Sequence, residues 1–508
     1  MRLHETILSS GGPLPSSSST ASGPGAITLH DIQTGTLLAS FKQTSSRAHS
    51  LAVLETKAAE GGFVLALQAD KPLLHAYNFQ KDQIASKIVL PEKLTCIAVD
   101  PRGFWCAAGT AQGRVYIWEI GSGIMYNAWD AHYRQVTVLR FTHDGAALLS
   151  GSEDSGVSVW SVARLVDDDA KDVIPLPERS LSDHTLPVTD ISCGVGPYPK
   201  CRAITASVDH SVKIWDLSSG TLLTTFSFPK PISCLAWDST ERTFFAASGD
   251  NTIYQVNLYR QREDHRVEAV GGLGANDVIR IGEPDAKAKR ERYIAVEDPV
   301  TAMTISLTTS FLLVGTSTGK IHVYDVPSHQ RLRTISPSLS SAAASTVPLP
   351  ITHIQTMLRP ADLIGHVSLD IDPKASQGAE IVPRVVAPFQ RTKDAKARER
   401  HEVSMILPPS MNEWCSSEEL LRDQAFFLQP QSQDKSLTGA VGASDSARVT
   451  ELEEEVRRLK GDLGKAKALN DEMWDKVVKK VVKQAKEQTG EDKKGESAEE
   501  RKRKRTRS

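Results

Sequence analysis

The stretch "ITASVDHSVKIWDLSSG" (residues 204–220) places one aspartate, Asp209, six residues before Trp215 and a second aspartate directly after it. Apolar and polar residues alternate between these positions, and Asp, Ser and Gly flank the run, which predicts a short β-strand between two turns. The same arrangement recurs along the chain and marks a repeating unit. The other copies are "ITLHDI" (27–32), "LHAYNF" (74–79), "VYIWEI" (115–120), "VSVWSV" (157–162), "IYQVNL" (253–258) and "IHVYDV" (321–326).

The spacing of these seven units indicates the type of repeat. Measured at the position of Trp215, successive units are separated by 47, 41, 42, 55, 41 and 68 residues. Three of these steps lie near the ~40–45 residues of a four-stranded propeller blade. An apolar run such as "LTCIAV" (94–99) precedes each later unit. The sequence therefore predicts an all-β, seven-bladed β-propeller. In the other units the position of Trp215 is filled by His30, Tyr77, Trp118, Trp160, Val256 and Tyr324.

These units resemble the WD-repeat family, whose blade carries a Gly-His pair, then a turn aspartate, then Trp-Asp. The match is specific in the fifth unit and good in the fourth, where Ala131 and His132 replace the Gly-His pair. The resemblance implies a buried network of histidine, aspartate and tryptophan in each, because buried polar groups are tolerated only when all are paired. The two sets are His132, Asp154 and Trp160, and His184, Asp209 and Trp215.

A catalytic interpretation of the fifth unit is an alternative to this structural one. Ser207, His184 and Asp209 are the residue types of a nucleophile, a base and an orienting acid. The WD-like context of all three residues favours the structural interpretation. A propeller enzyme would also need polar groups converging on the central channel, and the sequence shows no unusual cluster of them. We therefore predict that the protein is not an enzyme and needs no cofactor or metal.

The first unit has too little chain before it for two strands, so its sheet lacks an innermost strand. After the seventh unit, "ITHIQTML" (351–358) has the pattern of an innermost strand but no unit of its own. We predict that this strand returns to complete the first sheet, so that the propeller spans residues 1–358. A ring closed in this way leaves no free sheet edge across it.

Three segments depart from the repeat. Residues 165–182 are acidic and contain proline, and residues 259–298 are longer and rich in charge and glycine, so both are predicted to be insertions. The glycines of "GGLGAND" do not have the spacing of a phosphate-binding loop. Residues 359–448 have low regularity and are predicted to form an extended linker on a surface, either this chain's own or a partner's.

The periodicity changes near the end of the chain. Over residues 449–487, apolar residues recur at alternating steps of three and four, which predicts a coiled-coil helix that pairs with a second copy or a partner helix. A lone amphipathic helix packed on the propeller is the alternative. Asn470 stands where a polar residue often fixes register. The seam consists of Leu452, Val456, Leu459, Leu463, Asn470, Met473 and Val477.

The last segment, residues 488–508, ends in a basic run and is predicted to be a disordered tail. Such a run is typical of nuclear import signals and of contacts with the RNA backbone. The basic residues are Arg501, Lys502, Arg503, Lys504, Arg505 and Arg507.

The composition limits the remaining classes of protein. The formal net charge of −2 excludes a globally basic protein that coats nucleic acid. No run of 18 apolar residues is present, so no membrane span is expected. The six cysteines form no CxxC pair, and most lie in apolar runs, which predicts buried, reduced thiols in an intracellular protein.

Taken together, the ring, the acidic insertion, the C-terminal helix and the basic tail resemble one WD-repeat subfamily. It comprises the pre-rRNA-processing proteins of the fungal internal-transcribed-spacer-2 complex and their animal counterparts. "ETILSSGG" near the start, "ITHIQTML" and "MWDKVV" (473–478) fit this subfamily. The resemblance would cover nearly the whole chain.

This resemblance implies a non-catalytic scaffold in the nucleus, in the nucleolus or nucleoplasm. The implied partners are a helical-repeat subunit, a third subunit, the pre-60S particle and an AAA-type remodelling ATPase, together with self-association through the C-terminal helix. The alternative is an adaptor or substrate receptor in another nuclear complex, such as a ubiquitin ligase. Receptors of that class generally carry Trp-Asp-x-Arg, whereas the corresponding segments here are "WDLS" and "WSVA".

Overall fold

The computed structural model describes residues 4–12, 25–57, 60–167, 174–261, 267–271, 277–282, 292–337, 349–363, 381, 383–394, 401–403, 457–458 and 460–461. The chain divides into two compact units, residues 1–414 and 415–508. In the second unit the four described residues are helical and exposed. All seven seam residues predicted for the coiled coil, and the six basic residues of the tail, lie outside the described residues.

The described residues of the first unit form eight sheets, and seven of these follow one another along the chain as the blades of a propeller. The prediction of a seven-bladed, all-β propeller is therefore confirmed. Blades 1 to 3 are built from β1 (Glu5–Gly11), β2 (Gly25–Asp31), β3 (Leu37–Thr44), β4 (Leu51–Leu54), β5 (Phe63–Leu67), β6 (Leu73–Asn78), β7 (Ile84–Val89), β8 (Leu94–Val99), β9 (Trp105–Thr110), β10 (Arg114–Glu119) and β11 (Met125–Asp130), with one further strand described below.

In blades 4 and 5 and in most of blade 6, the chain passes through the strands in order from the innermost to the outermost strand of the sheet. Their elements are β12 (Val136–Phe141), β13 (Ala147–Ser152), β14 (Val157–Ser161), α1 (Val162–Leu165), β15 (Arg179–Leu181), β16 (Val188–Cys193), β17 (Arg202–Ser207), β18 (Ser211–Asp216), β19 (Thr221–Ser227), β20 (Ile232–Trp237), β21 (Thr243–Ser248) and β22 (Thr252–Asn257).

The first two of the remaining strands pair with each other in a separate two-stranded sheet, and the others complete blades 5 and 6, form blade 7 and return to blade 1. They are β23 (Tyr259–Gln261), β24 (Val267–Ala269), β25 (Val278–Arg280), β26 (Arg292–Ala295), β27 (Val300–Ile305), β28 (Phe311–Thr316), β29 (Ile321–Asp325), β30 (Arg331–Ile335) and β31 (Ile351–Leu358).

The core lies between the blades, because the inner strands bury both faces. Seven apolar clusters fill the seven contacts between neighbouring sheets. In β1, for example, Ile7 faces blade 7 and the next residue, Leu8, faces blade 2. Successive side chains of a strand point to opposite faces, so a strand between two apolar interfaces is apolar at consecutive positions. This explains why the inner strands show continuous apolar runs.

Blade 1 combines the two ends of the propeller. β31 pairs with β1 in antiparallel register, from Leu358 opposite Glu5 to Ile351 opposite Gly11, and the sheet order is β3-β2-β1-β31. Its innermost strand therefore comes from a position more than 300 residues away in sequence. Beyond β31, Leu363 is fully buried in the cluster between blades 1 and 2.

Hydroxyl groups connect the innermost strands of neighbouring blades. A β-bulge interrupts these strands at their second residue, and at four bulges the threonine hydroxyl donates to the first carbonyl of the next innermost strand. The Thr301 hydroxyl links blade 7 to β31 in this way, since it lies 2.5 Å from the Ile351 carbonyl. The equivalent bonds run from Thr95 to Val136, from Thr137 to Val188 and from Thr189 to Ile232.

The two predicted insertions are too wide. Residues 165–182 contain β15, the outermost strand of blade 4, and residues 259–298 contain β26, the outermost strand of blade 6. The second segment also supplies β25, which extends blade 5 by pairing with β19 in parallel. β15 and β26 have only three and four residues, so they are too short to show the apolar pattern that identified the inner strands.

Candidate functional site: the buried polar networks and the blade 3 groove

The tight turn between β17 and β18 positions Asp209. The Asp209 amide donates to the Ser207 hydroxyl over 3.1 Å, and the Ser211 amide donates to Asp209 Oδ1 over 3.0 Å. His210 has a φ of 65°, the left-handed conformation that lets the chain reverse here. The Thr185 amide also donates to Asp209 Oδ2 over 3.1 Å. The turn and the loop before β16 are thus held together by one carboxylate.

The structure brings together the three residues predicted for blade 5 around a fourth, Thr205. His184 Nδ1 lies 2.9 Å from Asp209 Oδ2, and His184 Nε2 lies 2.8 Å from the Thr205 hydroxyl. Trp215 Nε1 donates to the same hydroxyl over 2.9 Å. With Nδ1 of His184 donating to the carboxylate, Nε2 accepts the Thr205 proton, which leaves the Thr205 oxygen free to accept from Trp215. Every polar atom of the set is paired.

Blade 4 repeats this network with serine in place of threonine. His132 Nδ1 lies 3.1 Å from Asp154 Oδ2, and His132 Nε2 lies 2.8 Å from the Ser150 hydroxyl. Trp160 Nε1 donates to that hydroxyl over 2.9 Å. Ser150 and Thr205 are not among the residues predicted from the sequence. Both stand on the second strand, two residues after the partner of the tryptophan, so their spacing could have identified them.

Ser207 does not form a catalytic set with the blade 5 histidine. Its hydroxyl donates to the Leu186 carbonyl over 2.9 Å and accepts from the Asp209 amide. The hydroxyl that meets His184 belongs to Thr205, which is fully buried and already accepts from Trp215. A nucleophile needs access to a substrate as well as a base. These bonds identify the set as structural.

The charge states within the networks follow from burial and hydrogen bonding. Burial alone would raise the pKa of Asp209, but the hydrogen bonds from His184 and Ser211 outweigh it and hold the pKa well below its ordinary value. Burial lowers the pKa of His132, although the Asp154 carboxylate opposes this. Asp209 is therefore a carboxylate and His132 a neutral imidazole at neutral pH.

Blade 3 has the tryptophan but not the network. The residue that corresponds to Ser150 and Thr205 is Ala108, which has no hydroxyl group. Trp118 Nε1 instead donates over 2.9 Å to the main-chain carbonyl of Gln390, which lies 272 residues away in sequence. Phe389 stacks on the Trp118 ring with centroids 5.2 Å apart and an interplanar angle of 12°. A distant segment thus satisfies the Trp118 donor.

That segment, residues 383–390, is called the strap from here on. The Ala387 amide donates to the Ile120 carbonyl over 3.0 Å, and the Gln390 amide donates to the Gly123 carbonyl over 2.8 Å. Arg384 forms an ion pair with Glu60 of blade 2. Within the range 359–448 that was predicted to be an extended surface linker, the strap lies on the chain's own blades 2 and 3.

Histidines outside the networks also make stability depend on pH. Burial lowers the pKa of His30 to about 4, and burial together with Arg140 and His49 lowers that of His353 to about 3. The unfolded chain takes up these protons near pH ~6.5. At a pH between the folded-state and unfolded-state pKa of each histidine, the unfolded state binds more protons than the folded state. The free energy of unfolding is therefore highest above pH ~6.5 and decreases as the pH falls below this value.

The free energy of unfolding should decrease when the pH is lowered from about 7 to about 5. In the His30→Gln variant we expect this decrease to be smaller by about 1–2 kcal/mol, because the variant has no imidazole at this position. Urea unfolding of the variant and the unaltered chain at both pH values measures this difference. His143 is exposed, so His143→Gln is the matched control and should leave the loss unchanged. Identical pH dependence in the His30 variant would show that this histidine is not held neutral.

The remaining candidate groups are not arranged as a metal or membrane site in the part of the chain that the structure describes. Five cysteines are free thiols there, and burial raises the pKa of both Cys96 and Cys234 to about 12. The described residues contain no cluster of histidine, cysteine and carboxylate that could hold a metal ion. None of their helices is long and apolar enough to cross a membrane.

Known proteins share both the repeat and most of the length of this chain. The family model described as "WD domain, G-beta repeat" matches residues 88–119, 125–161, 176–216 and 220–256. The pre-rRNA-processing protein IPI3 of Mycosarcoma maydis is 31% identical over 555 residues, which covers 91% of this chain and 94% of that protein. The chain belongs to the IPI3 family of pre-rRNA-processing proteins.

Other similar proteins include IPI3 of Yarrowia lipolytica, 30% identical over 88% of this chain and 95% of that protein. WD repeat-containing protein 18 of Homo sapiens is 28% identical over 90% of this chain and 95% of its own length. A match of this length extends past residue 358, so similarity to the IPI3 family is not confined to the propeller. The repeat model itself matches within blades 2 to 6, which include both complete networks.

Proposed function

We propose that this chain is a non-catalytic scaffold subunit of a nuclear complex that assists pre-rRNA spacer processing and large-subunit assembly. The observation that carries the proposal is the similarity over 91% of the chain to a protein named for pre-rRNA processing. The internal bonds of the ring support a structural role, because His184 and Asp209, which have catalytic potential, are engaged in holding the loop, the turn and the strands of blade 5 together.

The ring is suited to scaffolding because it presents several rigid surfaces at once. We propose that it joins a helical-repeat subunit and a third subunit into one processing complex. This complex would dock on the pre-60S particle and help recruit an AAA-type remodelling ATPase. We further propose that β31 closes the ring, so that the partner surfaces keep a fixed geometry.

Purification of the tagged, full-length chain from nuclear extract tests the function. We expect the helical-repeat subunit, the third subunit and large-subunit precursors to copurify, and depletion of the chain to cause accumulation of spacer-containing pre-rRNA. Recovery of ubiquitin-ligase subunits without ribosomal precursors would contradict the proposal. A precursor rRNA pattern that depletion does not change would contradict it as well.

We propose that the C-terminal helix pairs two copies of the chain through its apolar seam. Deletion of residues 449–487 should therefore halve the number of copies of this chain in the assembly, because the seam residues Leu452, Val456 and Leu459 are lost with it. Light scattering of the purified assembly measures the copy number. A mass that falls only by the mass of the deleted segment would contradict pairing through this helix.

We propose that the basic tail directs the chain to the nucleus and contacts rRNA. Deletion of residues 501–508 removes six positive charges and should shift a fluorescently tagged chain toward the cytoplasm. Microscopy of the deleted and unaltered chains measures the nuclear fraction. An unchanged nuclear signal would assign import to another segment or to a partner.

A further inference from the structure

The groove that holds the strap has the features of a peptide-binding site. It is formed by the turn from Glu119 to Ile124 at the end of β10, by the Trp118 ring, and by Glu60 of blade 2. Its polar groups include main-chain carbonyls, the Met125 amide, the Trp118 donor and the Glu60 carboxylate. A site of this composition can bind an extended main chain through its carbonyl groups, a basic side chain through its carboxylate and an aromatic side chain through the Trp118 ring.

The strap occupies the groove with its main chain as well as its side chains. Its amides at Ala387 and Gln390 donate to the turn, and its Gln390 carbonyl accepts from Trp118. The Gln390 side-chain oxygen also accepts from the Met125 amide over 3.3 Å. Phe389 is 4% exposed and belongs to the apolar cluster between blades 2 and 3. The strap thus contributes to the core rather than resting on the surface.

Gly123 shows how closely the strap approaches the turn. A Cβ atom at this position would lie 2.2 Å from the Pro388 carbonyl oxygen, which is far inside contact distance. Equivalent turns in other blades also carry a glycine with nearly the same φ, as at Gly35, where φ is 73° compared with 75° at Gly123. The atoms nearest to a Cβ at Gly35 belong to side chains, to the flexible Arg333 at 3.2 Å and to Ile335 at 3.6 Å.

We propose that this groove is a binding site for an extended peptide, and that its resident ligand is the strap of the same chain. The groove recognises two features of the ligand. One is an arginine that pairs with Glu60, and the other is a Pro-Phe-Gln sequence whose phenylalanine stacks on Trp118 and whose glutamine carbonyl accepts from it. Blade 3 has no hydroxyl at Ala108, so the bound peptide supplies the acceptor that Ser150 and Thr205 provide in blades 4 and 5. The strap therefore completes blade 3.

Hydrogen exchange of the full-length chain tests whether the strap occupies the groove. The Ala387 and Gln390 amides should exchange about ten-fold or more slowly than in a free peptide of the same sequence. Gly123→Ala should abolish this protection, because the added methyl group displaces the Pro388 carbonyl. Gly35→Ala imposes the same backbone strain on blade 1 and should leave the protection unchanged. Exchange at the free-peptide rate in the unaltered chain would overturn the proposal.

Binding of a separate peptide tests the site itself. A fluorescent peptide of residues 381–394 is added to the full-length Phe389→Asp chain, whose strap is released, and anisotropy is followed. The peptide should bind this chain at least about ten-fold more tightly than the unaltered chain, whose own strap competes. Slow exchange of the β9 and β10 amides checks that blade 3 remains folded in the variant.

Two matched variants in the Phe389→Asp background show whether the peptide occupies this groove. Adding Gly123→Ala should remove peptide binding, and adding Gly35→Ala should retain it. The proposal is overturned if the peptide fails to bind the Phe389→Asp chain, or if it binds the unaltered chain equally well. Equal effects of the two glycine variants would place the peptide elsewhere and would overturn it too.

Discussion

Met357→Lys should lower the free energy of unfolding by about 4 kcal/mol or more, because it places an ammonium group in an apolar interface. Met357 is fully buried on β31, in the cluster that joins blade 1 to blade 2. Leu8 and Leu51 belong to the same cluster, and no acidic side chain is part of it. Denaturant unfolding monitored by tryptophan fluorescence measures the change.

The neighbouring residue provides the control. Leu358 follows Met357 on the same strand, points to the opposite face and is 41% exposed, so Leu358→Lys should change stability by no more than about 0.5 kcal/mol. Both variants add the same charge to adjacent positions of β31. Equal, small effects of the two substitutions would mean that β31 does not occupy blade 1 in solution, and the proposed closure of the ring would be wrong.

Met357→Lys is expected to have a large effect on stability because β31 contacts the blades on both sides of blade 1. Ile351 and Ile354 pack in the cluster between blades 7 and 1, whereas Met357 packs toward blade 2. The Thr301 hydroxyl donates to the Ile351 carbonyl, and the Thr356 hydroxyl donates to the Ile305 carbonyl over 2.9 Å. Loss of this strand would therefore open two interfaces and expose the edges of both neighbouring sheets.

The inner strands could be predicted from the sequence because their physical environment is periodic. Each third strand carries the aspartate–strand–tryptophan spacing or a degraded form of it, and each innermost strand is a short apolar run bounded by turns. The position of Trp215 is recognisable even where His30, Val256 or Tyr324 fills it, because the surrounding strand keeps its alternation. The histidine and aspartate of the fifth unit, His184 and Asp209, are recognisable because the repeat fixes their spacing.

The remaining features could not be predicted because they depend on contacts that have no fixed sequence spacing. The outermost strand β15 lies at an exposed edge and pairs over only three residues, so its sequence resembles that of a loop. The strap is recognisable only together with the groove on blade 3, and the alanine at position 108 becomes informative only when Trp118 is seen to need another acceptor. Thr205 differs from these features, because its distance from the partner of Trp215 is fixed by the repeat, but its residue type is not informative, since threonine is also common in strands.

Asp209→Ala should lower the free energy of unfolding by about 1–3 kcal/mol, because it leaves buried donors without an acceptor. The Thr185 amide loses its acceptor, His184 Nδ1 keeps only the longer contact of 3.3 Å to the Ser211 hydroxyl, and the turn loses its bonds to Ser211. The loss should spread to Thr205 and Trp215, since His184 would no longer be held in one orientation. Denaturant midpoints measure the effect on stability.

Asp250→Ala is the matched control for this substitution. Asp250 occupies the same turn in blade 6 but is exposed, and its carboxylate accepts from the Thr252 amide over 3.3 Å. In the described part of the chain no histidine bonds to this carboxylate, so its removal should cost no more than about 0.5 kcal/mol. If the two alanine variants were equally stable, the carboxylate would act only within its own turn. A larger loss at Asp209 would show that the histidine couples the turn to the strands, because only that turn is connected through a buried imidazole to Thr205 and Trp215.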